Sequence, residues 1–376
     1  MPLSASPDPR GRRFARRRTG VPSSQATRPV FLFSGLGAEH PEMGRGLFRM
    51  STTFRAELER CDRLYRALTG RPLLVRATPP FGDRLLNGRP SYVQPAVFAY
   101  QYALAAAWIA WGVRPAAVLG YSLGEDAAAC VAGAASLDDM MALVVNRARV
   151  MDRLRGGGMA VLFAGPEQTR ALIARHPRVE VAAANGAEHT VVSGSSAAID
   201  ALIAAAARAH VRARRVRTGC AFHSSRMDRV LASLERDAAA PSYHEPATPL
   251  LSGVTAEWLS LSTLSDPSYW SGRVRAPIRF REGVARLYAD GFRTFVEVGP
   301  HPMLLPIVRR DAMVGDSLCI ETARRGEDDA VVTMAALAAL PRAGASLAAY
   351  VPPVRGRRSV EAEARGRRRR PAEVSR

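Results

Sequence analysis

The segment that most constrains this chain is an apolar stretch that leads into a serine framed by two glycines. Residues 116–125 have the sequence AAVLGYSLGE, in which Ser122 stands in G-x-S-x-G spacing between Gly120 and Gly124. An apolar strand before such a serine and a helix-forming, acid-rich stretch after it are typical of a strained strand-to-helix turn that exposes a nucleophile. Acids in the first helical turn suit the helix dipole. The segment therefore predicts an α/β protein with Ser122 as its nucleophile.

A serine nucleophile needs a base within hydrogen-bond reach, so the seven histidines are the candidates. Five of them lie beside prolines, acids or turn residues and are expected to be solvated: His40, His176, His189, His210 and His244. His301 stands between two prolines in a predicted rigid loop. His223 differs, because it lies where an apolar run meets a polar turn, a position that suits a functional side chain. His223 is the predicted base, and a structural imidazole is the alternative.

The strand and helix pattern predicts two subdomains. Apolar strands alternate with helices such as 97–111 and 137–154, which fits an α/β-hydrolase-like large subdomain. Between them, the order βαββαβ predicts an inserted ferredoxin-like small subdomain, with Asn185 and Gly186 in the turn between its middle strands. The predicted boundaries are 29–158 and 217–350 for the large subdomain and 159–216 for the small one.

Both ends of the chain are rich in arginine. Residues 1–28 hold seven Arg and one Asp, and residues 353–376 hold nine Arg and three Glu, which places +12 of the net charge of +19 in the tails. The segments 1–28 and 351–376 are too poor in apolar residues to form a core, so both are predicted to be disordered. The chain contains no lysine. The tails therefore fit solvated arginine-rich segments better than nucleic-acid-binding ones.

Other features of the composition narrow the class of protein. No window approaches the 18 or so apolar residues of a membrane-spanning helix, so a soluble protein without a membrane partner is expected. The four cysteines form no C-x-x-C pair, which fits reduced thiols in a cytoplasmic protein and predicts no metal site.

Six segments resemble, in order, the acyltransferase family that loads malonyl-type units onto acyl carrier proteins. This family comprises malonyl-CoA:acyl-carrier-protein transacylases and the acyltransferase domains of polyketide synthases. The matching segments are VFLFSGLG at 30–37, YVQPA at 92–96, the serine segment, NRAR at 146–149, AFHS at 221–224, and a C-terminal signature from YW at 269 to GPHP ending at 302. Several ordered matches over residues 29–310 are far more specific than any single motif.

The resemblance implies a mechanism. Ser122 would carry the acyl group, and His223 would act as general base and then as general acid. In this family a main-chain carbonyl, here near Ala276, orients the histidine in place of an aspartate. The backbone amides of Leu36 and Leu123 would form the oxyanion hole, where two such donors lower the barrier by a few kcal/mol each.

The resemblance also implies which acyl group is accepted. Arg147 would grip the free carboxylate of a malonyl-type unit, and Gln94 would line the same pocket. Because Arg147 follows an apolar run, a buried guanidinium with an anionic partner is expected, and a solvated arginine is the alternative. Phe222 and Leu123 resemble the versions that select malonyl over branched units, a preference worth about 1–3 kcal/mol.

Two positions depart from the family pattern. Tyr121 stands where the family usually has histidine, which leaves the shape of the pocket open. Leu36 replaces the usual glutamine in the first glycine-rich loop, where only the main chain is needed.

Three functions follow. The first is an acyltransferase that moves a malonyl-type unit from coenzyme A to the phosphopantetheine of an acyl carrier protein or polyketide synthase module, in polyketide or fatty-acid biosynthesis. Coenzyme A is then part of the substrate, and no resident cofactor is expected. The alternatives are a hydrolase of the same fold that clears acyl chains from carrier proteins, and a non-catalytic docking subunit. The presence of Ser122, His223 and Arg147 disfavours the last.

Overall fold

A computed structural model describes residues 28–75 and 80–340 of the 376-residue chain. Within these ranges the chain forms nine strands in two separate sheets, together with thirteen α-helices. In the same ranges no helix is both long enough and apolar enough to cross a membrane. The predicted disordered tails, and the end of the predicted large subdomain after residue 340, lie outside the described residues, apart from Arg28.

The larger sheet has five parallel strands in the order β7–β2–β1–β8–β9. These strands are β1 (Val30–Phe33), β2 (Ala117–Gly120), β7 (Leu250–Leu251), β8 (Thr294–Val298) and β9 (Leu318–Glu321). All residues of the three central strands are buried, as expected for a parallel sheet covered on both faces. Ser122 follows the carboxyl end of the central strand β2 by two residues. Ligand sites of open α/β sheets form at this end of the strands.

Helices surround this sheet. Those before the small subdomain are α1 (Arg45–Met50), α2 (Thr52–Thr69), α3 (Pro90–Ala110), α4 (Gly124–Val131) and α5 (Leu137–Met151). Those after it are α8 (Asp228–Ala238), α9 (Leu261–Leu264), α10 (Pro267–Gly272), α11 (Phe280–Ala289), α12 (Leu305–Val308) and α13 (Asp329–Ala339). Short 3₁₀ turns occur at Gly82–Asn87, Ser225–Met227 and Ala312–Val314. The largest apolar cluster lies between β1, β2 and helices α2, α3 and α5.

Helix α3 begins seven residues before the predicted start at Val97. Pro95 lies inside it and cannot donate a hydrogen bond to the Ser91 carbonyl four residues earlier. That carbonyl instead accepts a hydrogen bond from the Tyr65 hydroxyl at 3.1 Å. The helix tolerates its internal proline because a side chain from α2 satisfies the freed carbonyl, and this places Gln94 inside the helix and buried.

The smaller sheet is antiparallel, in the order β4–β5–β3–β6. Its elements are β3 (Gly157–Leu162), α6 (Pro166–Ile173), β4 (Val179–Gly186), β5 (His189–Ser195), α7 (Ser196–Arg208) and β6 (Ala213–Val216). This order and pairing confirm the predicted ferredoxin-like fold inserted in an α/β protein. The predicted subdomain boundaries stay predictions.

The two sheets share a core because residues of β3 alternate between its faces. Ala160 and Leu162 pack with Ile199 of α7, whereas Met159 and Val161 join the apolar cluster that contains Val30 and Leu32 of β1. One face of the small sheet therefore joins an apolar cluster that also contains residues of β1 and of helices α11 and α12, and the other face packs against the small subdomain's own helices.

The turn between β4 and β5 differs from the prediction. Gly186 pairs with His189, so the two-residue loop consists of Ala187 and Glu188. The prediction of a turn at Asn185 and Gly186 was wrong because two register shifts in β4, after Val181 and after Ala184, extend the strand past the residues that usually form turns. Asn185 is consequently a buried strand residue.

Candidate active site

Ser122 lies in the sharp turn between β2 and α4. Its φ angle is 54°, a left-handed conformation that non-glycine residues adopt rarely and that costs free energy. A Cβ atom at Gly120 would lie 2.1 Å from Glu125 Cα, and one at Gly124 would lie 2.2 Å from the Phe33 carbonyl oxygen. Both glycines are therefore required by the close approach of α4 to the sheet, and the predicted strand–serine–helix turn is present.

His223 completes a hydrogen-bonded chain with this serine. Its Nε2 lies 2.9 Å from Ser122 Oγ, and its Nδ1 lies 2.8 Å from the carbonyl oxygen of Ala276. A carbonyl oxygen can only accept, so the proton is assigned to Nδ1 and Nε2 is left to accept the serine proton. The Ala276 carbonyl thus occupies the orienting position in which the resemblance placed it. His223 also has a left-handed backbone, with φ of 56°.

The surroundings of His223 keep its imidazole neutral. Its pKa is lowered to about 4, mainly by burial and also by the positive charge of Arg273, while the hydrogen bond to the Ala276 carbonyl acts in the opposite direction. A neutral imidazole at physiological pH can accept a proton from the serine hydroxyl.

Arg147 lies on α5 with its side chain buried, as expected. Its Nε donates to Gln94 Oε1 at 3.1 Å, and its two terminal nitrogens donate to the Asp126 carboxylate at 3.2 and 2.7 Å. The anionic partner that a buried guanidinium needs is therefore supplied by the protein itself, from the first turn of α4.

A second buried arginine shares the same carboxylate. Arg273, just after α10, forms an ion pair with Asp126 and donates from Nη1 to the main-chain oxygen of Ser122 at 3.1 Å. Sequence reasoning missed the roles of Asp126 and Arg273. The available signal for a buried partner of Arg147 was the pair of acids, Glu125 and Asp126, in the short and otherwise apolar helix after Ser122.

These side chains surround one cleft. It encloses about 430 Å³ of space, part of which is open to solvent. Its lining includes every predicted site residue: Leu36, Gln94, Ser122, Leu123, Arg147, Phe222 and His223. Glu125, Met151, Val254, Arg273 and Val274 complete it. Within the described ranges, no three His, Cys, Asp or Glu side chains converge in a way that could hold a metal ion.

Tyr121 does not line this cleft. Its ring packs edge-to-face on Phe280, with centroids 5.7 Å apart, in the apolar cluster between the two sheets. Burial raises the pKa of Tyr121 to about 12, an effect that the Asn185 side chain partly offsets. The residue that departs from the family pattern next to the nucleophile therefore packs against the core and leaves the pocket shape to other side chains.

The sequence and the fold both match known proteins. The family model for the acyl transferase domain matches residues 30–345. The chain belongs to this family. Over 319 residues it is 40% identical to the spectinabilin polyketide synthase system protein NorC of Streptomyces orinoci, an alignment that covers 82% of this chain and 14% of NorC. The acyl transferase domain thus spans only a small part of the length of such relatives.

Solved acyltransferase domains have the same fold. The acyltransferase domain from module 8 of the salinomycin polyketide synthase is 35% identical, with a TM-score of 0.78 over 84% of this chain and 75% of that one. The acyl transferase domain of SpnD, solved in complex with 2-(pent-4-yn-1-yl)malonyl, is 29% identical, with a TM-score of 0.79 over 86% of this chain and 78% of that one.

Proposed function

We propose that this acyltransferase moves a malonyl-type unit from coenzyme A to the phosphopantetheine thiol of an acyl carrier protein, in polyketide or fatty-acid biosynthesis. The observation that carries the proposal is the chain of contacts from Ser122 Oγ through the His223 imidazole to the Ala276 carbonyl, which is built for acyl transfer through an ester on Ser122.

In the first half-reaction, His223 Nε2 takes the proton of the Ser122 hydroxyl while Oγ attacks the thioester carbon. The tetrahedral intermediate collapses, the carbon–sulfur bond breaks, and the coenzyme A sulfur leaves with the proton from His223. In the second half-reaction, His223 takes the proton of the carrier thiol, whose sulfur attacks the ester, and Ser122 leaves with that proton. The low pKa of His223 favours the base form at the start of each half.

The charge on the tetrahedral oxygen would be stabilised by the amides of Leu36 and Leu123. Both residues line the cleft beside Ser122. Within the part of the chain that the structure describes, neither amide donates a hydrogen bond to a protein acceptor, so both are available to an oxyanion. Leu123 lies at the start of α4, where the helix dipole adds to this effect.

A malonyl-type substrate is favoured by the charge of the cleft and by the relatives. Arg147 and Arg273 bring two positive charges to one end of the cleft. Both contact a single negative charge, the carboxylate of Asp126. Gln94 fixes the Arg147 guanidinium, and Phe222 and Leu123 limit the room for a branch on the acyl unit. The complex of SpnD with a substituted malonyl group is consistent with this class of substrate.

The proposed reaction uses coenzyme A only as part of the substrate and needs no resident cofactor or metal. The carrier would be an acyl carrier protein or the carrier domain of a polyketide synthase module, as in the synthases to which the relatives belong. Coenzyme A thioesters and carrier proteins are met in the cytoplasm, where we place the reaction.

The proposal is tested by following the intact mass of the full chain with malonyl-CoA, methylmalonyl-CoA and acetyl-CoA, with and without a holo carrier protein. A malonyl adduct should form, should be lost in Ser122→Ala, and should pass to the carrier. Ser262→Ala removes an exposed serine that does not line the cleft and should keep the adduct. No adduct from any dicarboxylic thioester, together with rapid release of free acid from acylated carriers, would instead identify a hydrolase.

A further inference from the structure

The acyl-binding end of the cleft holds a cluster of three buried charges. Asp126 is fully buried, and Arg147 and Arg273 are exposed by only 7% and 4% of their side chains. Both terminal nitrogens of Arg147 contact Asp126, so the two-pronged face with which a guanidinium usually binds a carboxylate is already occupied. Taken as a pair, Arg147 and Asp126 have no net charge.

Arg273 changes this balance. It binds the same carboxylate oxygen that Arg147 Nη1 contacts, and its Nη1 is fixed by the Ser122 carbonyl. Its guanidinium stacks over the Trp270 ring, 4.8 Å from the centroid. Its Nε is buried and has no acceptor among the described residues. The cluster therefore has a surplus of one positive charge and a donor without a partner, beside the nucleophile.

The other acid of the cleft is held apart from this cluster. The Glu125 carboxyl accepts hydrogen bonds from the Tyr269 hydroxyl and from the Gly253 amide at 3.0 Å, and it forms no ion pair with either arginine. Burial raises the pKa of Glu125, and the positive charge of Arg273 acts in the opposite direction. The positive charge of Arg273 is therefore not cancelled by a contact with Glu125.

We propose that Arg273 is a second specificity-determining residue, which offsets Asp126 so that the cleft still selects an acyl group with a free carboxylate. The substrate carboxylate would bring the cluster to two positive and two negative charges. Without Arg273, Asp126 would neutralise Arg147 and repel a second carboxylate. This inference rests on the proposed function and assigns the carboxylate preference to the three residues together.

The experiment measures kcat/KM for acylation of Ser122 by malonyl-CoA and by acetyl-CoA, in the full chain and in variants. Arg273→Gln should reduce the malonyl value by about 30-fold or more, as expected when one partner of a buried charge network is removed. The ratio of the malonyl value to the acetyl value should fall by about tenfold or more, because acetyl-CoA has no carboxylate for Arg273 to attract. Arg273→Lys keeps the charge and should keep most of the malonyl preference.

The decisive variant is the double substitution Asp126→Asn with Arg273→Gln. It removes both opposing charges and leaves Arg147 free, so malonyl acylation should recover at least tenfold relative to Arg273→Gln alone. A merely structural role for Arg273 predicts no such recovery. The inference is overturned if Arg273→Gln leaves the malonyl-to-acetyl ratio unchanged, or if the double variant is no better than the single one. If the unmodified protein forms no adduct with malonyl-CoA, the proposed function fails first, and this inference fails with it.

Discussion

The two ends of the cleft are held in different ways. At the proposed catalytic end, main-chain geometry positions the side chains, because Ser122 and His223 both have left-handed backbones and a peptide carbonyl orients the imidazole. At the acyl-binding end, the charged side chains of Arg147, Asp126 and Arg273 hold one another. The difference implies that side-chain substitutions can change the acyl preference while the chemistry of transfer stays the same.

The largest loss of acylation should come from a substitution at the catalytic end. Ser122→Ala removes the atom that carries the acyl group, so acylation by any thioester should fall by roughly 10⁴-fold or more. The Ser122→Ala variant should bind malonyl-CoA with the same affinity as the unmodified protein, because the acyl-binding end is unchanged. Calorimetry measures this affinity. Loss of binding together with loss of acylation would show that the two ends are not separable.

The next largest effect should be a change of acyl preference, caused by a substitution at the acyl-binding end. Arg147→Ala removes one cation and leaves Asp126 paired with Arg273, so malonyl acylation should fall about 30-fold or more, with acetyl acylation much less affected. The measurement is the ratio of the two kcat/KM values. Arg149→Ala, an exposed arginine of the same helix, is the matched control and should leave the ratio unchanged. An unchanged ratio in Arg147→Ala would contradict its assigned role.

A change of pH should affect the rate of acylation less than either substitution. Protonation of His223 removes the base, and because burial lowers its pKa to about 4, the neutral form predominates at every pH well above that value. The rate of acylation by malonyl-CoA should therefore change by less than about twofold between pH 5.5 and 8. Rapid-quench mass spectrometry measures it, with circular dichroism as the check that the protein stays folded. A half-loss near pH 6.5, the ordinary value for histidine, would disprove the assignment.

The smallest effect should come from Tyr121, which adjoins the nucleophile in sequence but lies outside the cleft. Tyr121→Phe keeps the contact with Phe280 and removes only the hydroxyl. Acylation should stay within about twofold, and the free energy of unfolding should fall by about 1 kcal/mol or less, measured by urea denaturation. A large loss of acylation with unchanged stability would place Tyr121 in the catalytic machinery.

The sequence predicted much of the fold because its signals are local. The strand–serine–helix turn follows from two glycines and an apolar run, and the βαββαβ order follows from short periodic segments. The errors arose where a distant contact decides the structure. Helix α3 extends through Pro95 because Tyr65 satisfies a carbonyl, and β4 includes Gly186, expected in the turn, because of its irregular pairing with β5. Neither contact is visible in a local pattern.

The same division applies to the site. The resemblance brought together Ser122, His223 and the Ala276 carbonyl, which the structure places in hydrogen-bond contact. The charge cluster around Arg147 was not predicted, because Asp126 and Arg273 lie 147 positions apart and a further arginine looks ordinary in a chain with 53 basic residues. A buried cation requires an anion, but this rule does not say whether the protein or the substrate supplies it.

The carbonyl that orients His223 belongs to Ala276, and Pro277 follows it. Side-chain substitutions cannot test this group, because every amino acid at position 276 carries the same carbonyl. A search for a serine, a histidine and an acid would wrongly classify the site as incomplete. Only an edit of the main chain can test it. Replacing the carbonyl oxygen of Ala276 by sulfur, as a thioamide, would weaken the acceptor without changing any side chain, and would measure what this atom contributes to the base.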